Sequence, residues 1–211
     1  MRYMILFFAL TSCYSEKFNP LNPSKVNAFF YGDSIMRSSE PTPEQFGSYP
    51  ALICKDRGWE VNQYAIGATF SFSSNQFPAL MQDIWPLGSV VFFDCGLNDA
   101  ICLNVNPVYG VYRDNLRKVL QRLKSMGMKT YVGTPTRMAT NVYTRWGGNV
   151  PIDLYAQIVR EEVSWVNAPN IRLVDYCKEW SPTMVNTADG LHPNDIGCRE
   201  LADIFLKIGY N

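Results

Sequence analysis

The sequence predicts an α/β domain, a three-layer α/β/α sandwich around a five-stranded parallel sheet. Three observations point there. Short apolar runs alternate with helical patterns from Val26 to the C-terminus, the rhythm of βαβ units with right-handed crossovers. One run, Ser89–Asp94, is apolar almost throughout, as suits a strand covered on both faces. At 211 residues and 47% apolar content, the chain has the size of one domain and enough apolar surface for a core.

In chain order, strands are expected at Val26–Tyr31, Glu60–Tyr64, Ser89–Asp94, Thr130–Gly133 and Ile171–Asp175. Helices are expected near Glu44–Asp56, Gln76–Ile84, Val108–Met126, Pro151–Val166 and Asn194–Ile208. The clearest is Val108–Met126. There Val108, Val111, Tyr112, Leu116, Val119, Leu120 and Leu123 form one stripe, and Gly127 supplies a C-cap. Pro193 favours a helix starting directly after it. No internal repeat and no second domain are evident.

Ahead of this domain (26–211), residues 1–12 read as a signal peptide. Arg2 precedes the apolar run Met4–Leu10, which is too brief to span a bilayer as a helix. Residues 13–25, with two prolines, read as a linker. Leu10-Thr11-Ser12-Cys13 is similar to the bacterial lipobox, which would make Cys13 a lipid anchor and membrane tether of an exported protein. Plain secretion, an apolar arm lying on the domain and a cytoplasmic location are the competing readings.

Nineteen basic residues balance nineteen acidic ones, so the chain lacks the basic footprint of a nucleic-acid binder. A small neutral or weakly charged substrate fits better. Setting Cys13 aside leaves Cys54, Cys95, Cys102, Cys177 and Cys198, an odd number with at least one free thiol. Spacing allows Cys95/Cys102 and Cys177/Cys198 disulfides without establishing them. A single histidine and no Cys-x-x-Cys argue against a zinc site. No dinucleotide fingerprint, Walker A sequence or Gly-x-Ser-x-Gly appears, and no cofactor is implied.

In open parallel sheets, ligands bind beyond the carboxyl ends of the strands. Four segments reach that rim: Gly32-Asp33-Ser34 after the first strand, Ala65-Ile66-Gly67 after the second, Gly96-Leu97-Asn98-Asp99 after the third, and Asp189-Gly190-Leu191-His192 in the last loop. Together they resemble the four blocks of the SGNH/GDSL serine hydrolases, in that family's order and with about its spacing. Ser48-Tyr49-Pro50-Ala51-Leu52 and Val61-Asn62 further resemble its bacterial thioesterase/lysophospholipase branch. The resemblance covers the domain from Val26 onward and implies a flavodoxin-like topology and a serine esterase.

A serine hydroxyl needs a base within hydrogen-bond reach to become a nucleophile. Ser34 is the candidate nucleophile and His192, the sole histidine, the candidate base. Asp189, three residues before His192, can orient the imidazole. The resemblance implies an oxyanion hole of the Ser34 and Gly67 backbone N–H groups and the Asn98 amide. Plainer readings stand beside each: Ser34 as a helix N-cap, Gly67 as a turn glycine, Asn98 in an Asx-turn, Asp189 as a turn residue. Asp33 and Asp99 read as structural, holding loop N–H groups.

The long segment Thr134–Val150 contains Arg137, Tyr143 and Trp146, types that stack on sugar faces or grip a polar head group. Packing of that Trp back on the domain is the alternative. Phe70, Phe72 and Phe77 either line an acyl pocket or belong to the core. The expected activity is hydrolysis of a carboxylic ester with a small or medium acyl group: an O-acetylated glycan, a lysophospholipid or a short acyl ester or thioester. An acyltransferase with the same triad, or a non-catalytic glycan-binding module, are the other classes.

Overall fold

Five strands, β1 (Asn27–Gly32), β2 (Glu60–Gln63), β3 (Val90–Asp94), β4 (Lys129–Gly133) and β5 (Ile171–Val174), lie parallel in the order β2-β1-β3-β4-β5. This is the flavodoxin-like order, whose switch point falls between β1 and β3. The computed structural model describes residues 24–37, 47–65, 76–102, 109–139 and 149–208. Residues 1–12, read above as a signal peptide, Cys13 and most of the linker lie outside them.

The layers follow from strand geometry. Successive side chains on a strand point to opposite faces, and every residue of β3 is buried. Phe92 meets Tyr49 of α2 (Tyr49–Arg57) and Phe205 of α8 (Asp195–Lys207). Its neighbour Phe93 instead meets Phe77 of α3 (Gln76–Gln82). Helices α2 and α8 pack together on one face. On the other, α3 packs against α5 (Tyr109–Ser125), and α5 against α6 (Val150–Val166). Full burial of each such ring is worth roughly 1.5–3 kcal/mol.

The predicted strands and long helices all form, with shifted ends. α2 starts at Tyr49 rather than Glu44, because Ser48 is extended (ψ 157°) and Pro50 belongs in a first turn. On α5, Tyr112, Leu116, Val119, Leu120 and Leu123 are buried as expected. Val111 is not: at 49% exposed it lies a third of a turn off that stripe. Val108 falls outside the described residues. α8 starts at Asp195, and Asn194 is its cap, accepting from Ile196 N and Gly197 N.

Neither disulfide forms. Cys95, Cys177 and Cys198 are buried free thiols. Between α5 and α6, the buried Glu162 accepts from Arg117 Nε and Nη2, at 2.7 Å each, and from Arg113 Nη1 at 3.1 Å. Among the described residues, no helix is long and apolar enough to cross a membrane.

α8 lies hard against the loop before it. A Cβ on Gly197 would stand 2.2 Å from the Asn186 carbonyl oxygen, so the helix tolerates no side chain there. Gly197→Ala is expected to lower stability by about 1–3 kcal/mol, read as a lower Tm in thermal unfolding. An unchanged Tm would mean that helix and loop do not touch.

Candidate active site

Pairing sets the last residues of four strands level: Gly32 opposite Asp94, Asp94 opposite Gly133, and Gly133 opposite Val174. The chain leaves each strand at this line, and most of the predicted residues stand just beyond it. After β1, Asp33 turns the chain into α1 (Ser34–Arg37). Asp33 Oδ1 accepts from Ile35 N at 3.0 Å, and its carbonyl from Arg37 N at 3.1 Å. The capping role weighed for Ser34 therefore falls to Asp33. Ser34 becomes the first helical residue, with its hydroxyl left for another partner.

That partner is His192. Its Nε2 lies 3.0 Å from Ser34 Oγ, across 158 residues of sequence. Its Nδ1 lies 2.7 Å from Asp189 Oδ2. The other oxygen of Asp189 accepts from Leu191 N at 3.0 Å and His192 N at 2.8 Å. Turn residue and histidine partner are thus both played by Asp189, one oxygen each. Burial pushes its carboxyl up, but the bonds from the His192 N–H, the imidazole and Leu191 N outweigh this and hold it below the usual range. An ionised carboxylate on Nδ1 favours the tautomer whose Nε2 accepts the serine proton. Such a relay can activate a hydroxyl for attack on a carbonyl.

Asn98 stands at the switch point, half-buried near the start of α4 (Leu97–Cys102). The exit from β3 depends on Gly96, whose φ of +115° suits glycine and whose Cα lies against the Tyr112 ring. Tyr112 Oη donates to the Cys95 carbonyl at 2.8 Å and fixes this turn. Gly67, Phe70, Phe72, Tyr143 and Trp146 lie outside the described residues. Phe77 is core, packed on Phe93 and Tyr112.

Arg137 follows β4 on the rim. Its Nε and Nη2 bond Asp153 Oδ1 at 2.9 and 2.8 Å, and 45% of its side chain remains exposed. Sequence reading missed the residue that fixes this segment. Asn149 Oδ1 accepts from Met138 N at 2.8 Å, and Asn149 Nδ2 donates to Met138 O at 3.0 Å. The available signal, an Asn before Val150-Pro151, points to a helix cap; its side chain instead reaches back across the segment. Ala139 N then donates to Gly190 O at 2.9 Å, tying the segment to the His192 loop.

Beneath the dyad the interior is acidic. Asp33, Asp94 and Asp99 are all buried. Burial raises Asp94 well above the carboxylate range, and Tyr49 Oη donates to it at 3.2 Å. Burial likewise pushes Asp33 up to about 7, against the Ile35 N–H bond, with Asp99 adding to the rise and His192 opposing it.

A parallel sheet with a Ser-His-Asp relay at its carboxyl rim is the arrangement of a serine hydrolase. The sequence pattern of the GDSL-like lipase/acylhydrolase family matches residues 30–199, and the chain belongs to that family. It is an enzyme that hydrolyses ester bonds. No curated protein matches the sequence. Solved structures with this fold include the acetyl xylan esterase AlAXEase, at 21% identity and TM-score 0.67, covering 86% of this chain and 98% of its own. A lipase/acylhydrolase from Enterococcus faecalis is 20% identical with TM-score 0.67, covering 86% and 94%. A catalytic mutant of Axe2, an acetylxylan esterase from Geobacillus stearothermophilus, is 18% identical with TM-score 0.62, covering 88% and 95%.

The raised Asp33 sets a pH dependence. Between about pH 4 and 7 the folded protein keeps a proton that the unfolded chain releases, so stability falls as pH rises through this window. Asp33→Asn keeps an oxygen for Ile35 N and removes the titration. It is expected to make the stability–pH curve less steep over that window, the raised Asp94 still contributing, and to leave the variant more stable than wild type at pH 8. Urea unfolding at pH 5 and 8 measures this, and a variant no more stable than wild type at pH 8 contradicts it.

Proposed function

We propose that the protein cleaves carboxylic esters of small or medium acyl groups through an acyl-enzyme on Ser34, with His192 as general base and Asp189 orienting it. The observation that carries this reading is the unbroken relay from Ser34 Oγ to His192, 3.0 Å, and from His192 to Asp189, 2.7 Å. Ser34 Oγ attacks the ester carbonyl while His192 Nε2 takes its proton. The tetrahedral oxyanion is held by the Ser34 and Gly67 backbone N–H groups and the Asn98 amide. His192 then protonates the departing alcohol. Water repeats the sequence on the acyl-enzyme, releasing the acid and restoring Ser34.

O-acetylated glycans lead the substrate classes, because two of the similar structures described above are acetylxylan esterases. Lysophospholipids and short acyl esters or thioesters follow. Arg137, exposed on the rim, and Tyr143 and Trp146 in the adjoining segment supply the donors and faces that a sugar or head group needs. The apolar run Met4–Leu10 supports export, with Cys13 as the position for a tether.

Ser34→Ala and His192→Ala are each expected to reduce p-nitrophenyl acetate hydrolysis by at least about 10³-fold, with circular dichroism unchanged. Retained activity in either would remove the mechanism.

A panel of acyl esters, varied in chain length and in alcohol, tests the substrate reading. Acetyl esters of carbohydrates are expected to give the highest kcat/KM. Faster turnover of long-chain acyl glycerophosphates would redirect it, and acyl transfer to an added alcohol outpacing hydrolysis would make the enzyme a transferase.

A further inference from the structure

The loop between α7 (Tyr176–Glu179) and α8 delivers His192 and Asp189 to Ser34, and one side chain within it organises the rest. Asn186, buried at 6% exposure, uses both polar atoms of its side chain and its backbone carbonyl. Its Oδ1 accepts from Thr183 N at 2.6 Å and Thr183 Oγ1 at 3.2 Å. Its Nδ2 donates to Ser181 O at 3.1 Å and to Glu200 Oε2 at 2.7 Å. Its carbonyl accepts from Asn194 N at 3.2 Å, closing the loop just beyond His192.

Glu200 lies on α8 and links this hub to a rigid element. The same oxygen, Oε2, also accepts from Trp180 Nε1 at 2.9 Å, so the start and the middle of the loop meet one carboxylate. The next residue carries the restraint toward the dyad. Thr187 Oγ1 donates to Thr183 O and accepts from Gly190 N at 3.1 Å. Ala188 N donates to the His192 carbonyl at 2.8 Å. Gly197, where a Cβ would clash, lets the Asn186 carbonyl approach the helix closely.

We propose that Asn186 and Glu200 are positioning residues for the reaction: their hydrogen bond sets where His192 stands over Ser34. Neither touches the reacting atoms. This deepens the mechanism proposed above and rests on it. The relay has little tolerance, since a misplacement of about 1 Å can cost on the order of 10²-fold in rate.

Asn186→Asp removes the donor and sets a second carboxylate against Glu200. It is expected to lower kcat for p-nitrophenyl acetate by about 10- to 100-fold with KM within about twofold, and to slow Ser34 labelling by a fluorophosphonate in proportion. The double variant N186D/E200Q removes the like-charge contact and lets an amide at 200 donate to the carboxylate at 186, while Trp180 Nε1 and Ser181 O each lose a partner. Partial recovery of kcat over Asn186→Asp supports positioning, since a general loss of packing would not be repaired.

Glu200→Leu removes the acceptor without adding charge and serves where Asn186→Asp does not fold. It should reproduce the kcat loss at a temperature well below its Tm. Wild-type kcat in Glu200→Leu, or a lowered Tm with unchanged kcat, overturns the proposal and leaves the clamp a purely stabilising contact. Absence of a Ser34 adduct in wild type would instead overturn the nucleophile assignment, and the proposal with it.

Discussion

The candidate site rests on the register of a parallel sheet. Because Gly32, Asp94, Gly133 and Val174 stand level, four chain exits open on one line. A slip of one residue in any pairing would turn that strand's side chains to the opposite face. It would also lift its exit out of reach of the others. Phe92 and Phe93 resist such a slip, since each ring has its own layer of helices to fill. Burial of apolar rings thus places a serine and a histidine 158 positions apart within 3.0 Å.

The same rim holds aspartates in opposite electrostatic conditions. Asp189 takes two backbone N–H bonds and an imidazole, and stays charged. Asp33 accepts from Ile35 N and lies almost wholly out of water, and its proton is held to about pH 7. Burial acts in the same direction on both but far more strongly on Asp33, since Asp189 keeps 44% of its side chain exposed; depth of burial and the donors at each carboxylate together decide the outcome. The proposed base therefore faces a fixed negative charge on its solvent side and a proton-holding carboxyl beneath. A carboxylate formed under His192 would compete with Asp189 for the imidazolium, and burial holds it off until about pH 7.

Much of this was legible in the sequence. Strand spacing and the strand-end rule were enough to collect Ser34, Asn98, Asp189 and His192, because each follows a strand or lies in the last loop at a sequence-visible motif. The one-turn helices α1, α4 and α7 were not, since four to six residues show no periodicity. Val111 was misassigned because an apolar residue one position off a stripe looks like part of it. Cysteine spacing leaves pairing open, because it is blind to where in the core each thiol lies. Asn186 and Glu200 carried no signal: their bond joins a loop to a helix across 14 residues, and neither belongs to a motif. Asn149 resembled a cap, and only the fold reveals that Met138 is within its reach.

The reciprocal pair between Asn149 and Met138 has a consequence for the chain it encloses. It fastens the two ends of the stretch 139–148 to each other, and Ala139 fastens one end to the loop bearing His192. Because the staple holds those ends together, lengthening the chain between them costs little, about 0.6 kcal/mol for each doubling of length, and need not disturb the relay behind it. What lies between the two ends is thereby kept separate from the segment that carries His192.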